Sequence, residues 1–438
     1  MKLNRYPKYK PTGIAWLPEV PEGWEMVPLK RIVDTPITDG PHETPEFVDD
    51  GIPFVSAEAS HDGRIFVEEC RGFISRELHE RFCEKVRPQR DDIFVVKSGS
   101  TTGKTVMVDT DEEFSVWSPL ALVRVASKSN CKYVFYFLSS PYFQREVQDN
   151  WSFGTQPNIG MGVLSRLLIV LPPLPTQRAI VAYLDEKCGK VDRLVAAKEE
   201  EAALLKELKQ SMIAEAVTGA TQVARTDTAR KMKPSGIPWL PEVPEGWELV
   251  RNKTFLKLTD EKVGSRKNAF TLLSLTKQGV IVRDLTEMKG KFPKDFDTYL
   301  VVRPNNLVFC LFDVDETPRT VGLVKNVGML TGAYTNFEVD QSVVLPEFAY
   351  YYYLHVDDAK KLRPYYTGLR KVVKTNTFMQ LRMPVPSLAE QREIVAHIEA
   401  RAAKIDAAVK GLEREVAALK EYKQRLIADV VTGQRKVA

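Results

Sequence analysis

The nine residues Lys97 to Thr105, K-S-G-S-T-T-G-K-T, gather more ligand-binding chemistry than any other stretch of the chain. Glycines, hydroxyls and a lysine in this order approximate the phosphate-binding pattern G-x-x-x-x-G-K-[ST], in which backbone amides and the lysine cradle phosphates. Ser98 stands where the pattern needs its first glycine. The run Val106, Met107, Val108 that follows reads as a strand, whereas a nucleotide site needs a helix whose N-terminus faces the phosphate. A nucleotide-hydrolysing site is therefore the weaker reading. The remaining two treat the segment as a hairpin-like loop. In one, Lys104 and the backbone grip DNA phosphates while Ser98, Ser100, Thr101 and Thr102 reach base edges; in the other it is a plain β-turn. The matching stretch further on, Phe312 to Gly322, carries Arg319 in the lysine's role, and arginine to guanine is the commonest specific contact.

A second candidate surface is Asn150 to Asn158, N-W-S-F-G-T-Q-P-N, where Thr155, Gln156 and Asn158 are the polar readers. Its counterpart, Lys360 to Asn376, interleaves Lys361, Arg363, Arg370, Lys371, Lys374 and Asn376 with Tyr365 and Tyr366. Glutamine and asparagine pair bidentately with adenine, while the cations suit phosphate or guanine. Against this stands the bland alternative, a solvated basic face. His42 and Asp39, in T-D-G-P-H, form either a metal or acid–base pair or a turn with polar capping; without a second histidine nearby the turn is preferred, and no metal site is expected.

What must position these segments is a duplicated chassis. Pro11 to Glu25, PTGIAWLPEVPEGWE, returns as PSGIPWLPEVPEGWE from Pro234 to Glu248. Leu171 to Gly219 aligns without a gap on Val385 to Gly433, from a Q-R-x-I-V-A opening (Gln177, Arg178; Gln391, Arg392) to a V-T-G close. The middles diverge, although Gly154 and Gly368 keep the same distance from the Q-R pair. Trp16, Trp24, Trp239 and Trp247 read as packing anchors of an extended entry segment.

The second repeated block has apolar residues at spacings of three and four, a coiled-coil seam. In one copy it runs through Leu184, Cys188, Val191, Val195, Ala202, Leu205, Met212 and Ala216, broken by Lys198 and Lys209. In the other it runs through Ile398, Ala402, Ile405, Val409, Leu412, Val416, Leu419, Leu426 and Val430, broken by Lys423. About 40 helical residues make a rod of about 60 Å, and an antiparallel pair of such rods would separate two readers by up to about 18 base pairs. Glycine at each V-T-G close suits a left-handed helix cap.

At 438 residues the chain exceeds one ordinary core. Its net charge of +4 is a weak pointer to nucleic acid, with Arg251 to Arg382 basic and Met1 to Val170 slightly acidic. Five scattered cysteines give neither a disulfide framework nor a zinc knuckle. Without a membrane-length apolar run or a secretory leader, a cytoplasmic protein is expected.

The entry blocks, T-D-G-P-H-E-T-P at Thr38 to Pro45 and the P-x-x-x-Q-R-x-I-V-A openings resemble, over essentially the whole chain, the specificity subunits of Type I restriction–modification enzymes. The resemblance implies a non-catalytic, sequence-specific reader of double-stranded DNA. It would be partnered by two modification subunits that methylate adenine with S-adenosylmethionine, and by restriction subunits that use ATP and magnesium. No cofactor is expected in this chain, which has no N-P-P-Y or D-P-P-Y motif. The expected fold is α+β: two mixed α/β target-recognition domains (1–172 and 234–384), a central helix (173–219), a linker (220–233) and a distal helix (385–438), in pseudo-twofold repeat. Two competing functions are a P-loop-like NTPase and a coiled-coil scaffold that binds only proteins.

Overall fold

The computed structural model describes residues 4–221, 230–283 and 295–437. Two compact units divide the chain: Met1–Lys198 with Arg414–Ala438, and Glu199–Glu413.

In the first unit the apolar run within 92–97 becomes the strand Ile93–Val96, an inner member of a six-stranded sheet. Side chains alternate across a strand, and here both faces are buried. Ile93 and Val95 join a core with Tyr133, Phe137 and Phe143, while Phe94 and Val96 join another with Val55, Phe114 and Val116. Leu120–Val123 pairs antiparallel beside it and splits in the same way. Cys131–Leu138 and Pro141–Asn150 are helices because each has an N-terminal cap, from Asn130 and Ser140, and Pro141 occupies a first-turn position that lacks an amide partner anyway. Ser75 caps Arg76–Cys83 likewise.

The second unit has two four-stranded sheets. In one, Leu307–Phe309 pairs with both Val321–Leu323 and Thr335–Val339. Leu307 and Phe309 face a core with Tyr352, Tyr353 and Phe378, and Val308 faces the opposite side.

The repeated blocks are helices at Leu174–Thr218 and Leu388–Val431. Each follows a short strand, Leu168–Leu171 or Arg382–Val385, paired to Glu25–Pro28 or Glu248–Arg251. Gln177 and Gln391, fully buried, fix the helix starts. Gln177 donates to Pro172 O at 2.8 Å and accepts from the Asn130 amide at 2.8 Å; Gln391 donates to Pro386 O at 2.9 Å and Val343 O at 3.1 Å and accepts from the Leu345 amide at 2.7 Å.

Within each unit the two helices pack antiparallel. Asp192 meets Lys423 and Lys198 meets Glu415 in the first unit; Lys206 meets Glu413 and Lys209 meets Asp406 in the second. Leu184, Cys188, Val191, Val195, Ala202, Met212, Ile398, Val409, Leu412 and Leu426 are buried, and Leu205, Ile405, Val416 and Leu419 half-buried. All three lysines that interrupt the sequence pattern, 198, 209 and 423, reach across to an acid on the other helix.

Each V-T-G close ends in a left-handed glycine, φ 75° at Gly219 and 73° at Gly433. A Cβ at Gly219 would lie 2.4 Å from Pro244 and one at Gly433 2.4 Å from Pro21, so no side chain fits. Buried Trp247 and Trp24 back these contacts. The entry segments are β-hairpins, Tyr9–Ile14 with Leu17–Pro21 and Met232–Ile237 with Leu240–Pro244, and left-handed Gly13 and Gly236 sit where the pairing register shifts. The expected linker Ala220–Lys233 therefore includes two strand residues, Met232 and Lys233; its residues 222–229 lie outside the described ones.

Candidate nucleic-acid interface

The strands Ile93–Val96 and Thr105–Met107 pair antiparallel, so the segment 97–104 is a hairpin loop, followed by a strand and not by a phosphate-binding helix. Gly103 adopts φ 94°, and a Cβ there would meet the Gln144 amide at 2.7 Å. That amide donates to Gly103 O at 2.7 Å and Leu138 O at 2.8 Å, clamping the loop to a helix.

The loop also joins the second candidate segment. Ile159 N–H donates to Lys97 O at 2.8 Å, Gly99 N–H to Pro157 O at 3.1 Å, and Ser98 bridges Asn158. Both sets of sequence-predicted residues thus share one surface. Ser100, Thr101, Thr155, Gln156 and Asn158 are exposed on it, and Ser98 and Lys104 partly so. Thr102 is placed differently: it is buried, its hydroxyl 2.8 Å from Gly99 O and 3.0 Å from Pro157 O, and it ties the two segments together.

At the base of the loop, Lys97 lies 2.9 Å from the fully buried Asp39 carboxylate, which also meets Lys85 at 2.6 Å and His42 Nε2 at 3.0 Å. Asp39 Oδ2 accepts no well-aligned hydrogen bond, so its attraction to the Lys97 ammonium is chiefly electrostatic. Burial pushes the Asp39 carboxyl up, but the two lysines outweigh it and hold the group below its ordinary value. Gly40 follows because its Cβ would collide with Val116 O at 2.1 Å. T-D-G-P-H is thus a brace beneath the loop.

The second unit repeats the backbone arrangement with other side chains. Val373 N–H donates to Leu311 O at 2.8 Å, as Ile159 does to Lys97, and Asp313 N–H donates to Arg370 O at 2.8 Å. The loop after Leu307–Phe309 and the basic stretch are again one surface. Its cations are paired with acids that the sequence reading passed over. Arg363 meets Asp315 at 2.9 Å, Lys371 meets Asp315 at 3.4 Å and also Glu316, and Arg370 meets Asp313 at 3.4 Å. The bond from Arg363 holds the Asp315 carboxyl below its usual value, and Lys371 does the same for Glu316. The signal was legible as charge complementarity between D-V-D-E (313–316) and the stretch from Lys360 onward.

Arg319, the expected guanine reader, is mostly covered and lies 3.2 Å from Asp357 and 2.9 Å from Asp358. Asp357 is buried and also takes Lys360 at 2.8 Å and the Thr320 amide at 2.9 Å. A buried carboxylate requires counter-charge, which makes Arg319 a brace. Lys374 and Asn376 are exposed and Lys361 half-exposed. Neither lysine has an ion-pair partner among the described residues, and Asn376 lines a cleft with Trp239, Tyr365, Gln380 and Arg382.

Among the described residues one histidine–carboxylate group, His79, Glu80 and Glu113, has ligand atoms within 4.8 Å of one another. Its members are already engaged: Glu113 with Arg76 at 2.6 Å, Glu80 with Arg87, and His79 Nδ1 with Ser115 Oγ at 2.9 Å.

Residues 21–203 match the Type I restriction modification DNA specificity domain. The chain is 26% identical to the Type I restriction enzyme MjaVIII specificity subunit of Methanocaldococcus jannaschii over 47% of this chain and 48% of that protein, about half the length of each. It is 22% identical to the StySPI specificity subunit of Salmonella potsdam over 95% of this chain and 90% of that one. Its fold is similar to that of a chain in a solved type I R-M system, with a TM-score of 0.64, 14% identity, and coverage of 94% of this chain and 99% of that one.

Proposed function

We propose that the chain is a specificity subunit of a Type I restriction–modification system, as the match over residues 21–203 and the likeness to the StySPI subunit suggest, and that each unit reads one half of a split DNA site through its paired loops. The observation that carries this reading is the shared backbone pairing, Ile159 to Lys97 and Val373 to Leu311. It presents two unlike sets of side chains from one chassis. In the first unit Ser100, Thr101, Thr155, Gln156 and Asn158 offer hydrogen bonds to base edges and Lys104 a phosphate contact. In the second, Arg363, Arg370, Lys371 and Lys374 supply the grip, with Asn376 as a polar reader.

The chain itself is non-catalytic in this reading. Adenine methylation with S-adenosylmethionine belongs to two modification subunits, and ATP- and magnesium-dependent cleavage to restriction subunits. The long helices set the unread spacer and dock the modification subunits, to which Leu194, Leu204, Leu208 and Tyr422, exposed along them, are offered. The NTPase alternative finds no support in a loop that leads into a strand, nor does a scaffold that binds only proteins.

Methylation mapping of a genome that carries this chain with its modification subunit tests the reading. A bipartite motif is expected, and exchanging 251–382 for the segment of a relative should change one half only. A continuous motif, or a change in both halves, overturns it.

A further inference from the structure

We propose that Leu369 is the base-contacting tip of the second unit, an apolar side chain that buries against the non-polar surface of the bases in its half-site. The inference rests on the reading of this face as the DNA interface and names the residue that discriminates there. Leu369 is 103% exposed, as open as an isolated residue; among the described residues the next most exposed large apolar residue is Leu204, at 58%. An apolar side chain displayed this fully has to be held out by its backbone, and Leu369 is. Thr367 and Val372 exchange hydrogen bonds of 3.0 and 3.1 Å, and Lys371 N–H closes the turn on Gly368 O at 3.1 Å. Gly368 and Lys371 both adopt left-handed φ, 73° and 44°. The turn is anchored from below by the bonds of Arg370 and Val373 to Asp313 and Leu311. Leu369 and Arg370 are therefore the apex of a pinned hairpin, pre-organised rather than free.

Its surroundings select the partner. Arg370 and Lys371 follow it directly, Arg363 shares Asp315 with Lys371, and Lys374 is exposed close by in the chain. A single leucine flanked by Arg370, Lys371, Arg363 and Lys374, of which the first three pair with Asp313, Asp315 and Glu316, offers one apolar side chain on a polar, net positive surface and does not suit a broad hydrophobic groove of another protein. It suits a polyanion with apolar surface between its charged edges. Duplex DNA offers that surface in two forms: the thymine methyl in the major groove and the faces of a base step opened by a wedge. In the first unit Thr155 holds the corresponding place, next to Gly154 as Leu369 is next to Gly368. One apex is polar and the other apolar, which gives the two half-sites different chemistry from the same scaffold.

The experiment uses the full chain assembled with its modification subunits. The methylated site is mapped for the unaltered protein, for Leu369→Ala and for Leu369→Met, and binding to duplexes of the mapped sequence is measured by fluorescence anisotropy over a salt series. Leu369→Ala should lower affinity for the mapped site tenfold or more, relax discrimination at one position of the second half-site, and leave the first half-site and the salt slope unchanged. Leu369→Met should retain most of the affinity. Replacing each thymine of the half-site by uracil identifies a methyl contact if one substitution weakens the unaltered protein but not Leu369→Ala. A 2-aminopurine signal that rises on binding and is lost in Leu369→Ala identifies insertion into a step. Unchanged maps and affinities for Leu369→Ala overturn the proposal. If exchange of 251–382 alters neither half-site, the reading of the interface has failed instead.

Discussion

The buried carboxylate of Asp39 holds the Lys97 ammonium at 2.9 Å where the first unit's hairpin loop leaves its strand. Removing one partner of a buried pair strands the other, at a cost of about 3–5 kcal/mol. Asp39→Asn should fall near the lower end, because the Lys85 side chain is 45% exposed and can turn to water. Urea unfolding at neutral pH measures the loss. The sign of the pH dependence follows from the depressed folded value. The stability that Asp39 contributes is present above the unfolded carboxyl value of about 4 and is lost as pH falls through the lower folded one. In Asp39→Asn this acid-side decline should be shallower than in the unaltered chain; an identical decline would show that Asp39 contributes nothing to it.

Gln391 joins the second long helix to the Leu345 amide, and Gln177 does the same for Asn130. Alanine at either site leaves buried groups unsatisfied at about 1–3 kcal/mol each. Gln391→Glu should be worse, since a carboxylate places acceptors against the carbonyls of Val343 and Pro386. Hydrogen exchange at the Leu345 amide is the readout: faster exchange in both variants, most in Gln391→Glu, is expected.

The acids at 313, 315 and 316 occupy three cations of the second unit. Replacing them together, Asp313→Asn with Asp315→Asn and Glu316→Gln, should raise non-specific DNA affinity. The dependence of log K on log salt should steepen by up to about 2.7, or 0.9 for each added phosphate contact. Weaker binding would mean that the acids position the cations for DNA rather than compete with it.

Lys104→Ala should weaken binding evenly across sequences and reduce the salt slope by about 1, whereas Gln156→Ala should relax discrimination at a single position. Competition binding with a panel of duplexes altered one base pair at a time separates the two. Sequence-selective loss in Lys104→Ala would reassign that lysine from phosphate to base.

The sequence disclosed elements governed by local periodicity, and it concealed those set by contacts across the chain. The alternation in Ile93–Val96 and the three–four spacing in the long helices are one-dimensional signals, and both became the expected strand and seam. That Lys198, Lys209 and Lys423 interrupt the seam was also visible, but their acid partners belong to the other helix and follow only from the antiparallel register. Arg319 looked like a reader because residue type was judged without its neighbours; two aspartates from a later helix claim it. Thr102 is the same case in smaller form, its hydroxyl spent on a carbonyl of the second segment. Leu369 escaped attention because exposure is a property of the folded surface.

The register of the helix pair dictates how the spacer has to be tested. Both helices pass from one unit to the other, between Lys198 and Glu199 and between Glu413 and Arg414. A heptad inserted in the first helix alone would slide Lys206 and Lys209 past Glu413 and Asp406, or Asp192 past Lys423. Seven residues therefore have to enter both helices, at those two junctions, so that every existing ion pair keeps its partner and the seam continues in phase. Each inserted heptad lengthens a helix by about 10.5 Å, about three base pairs of DNA. The methylated motif should keep both half-sites and gain about three unread base pairs between them, while the single-helix insertion should lose stability. Altered half-sites in the double insertion, or an unchanged spacer, would remove the helices from the role of ruler.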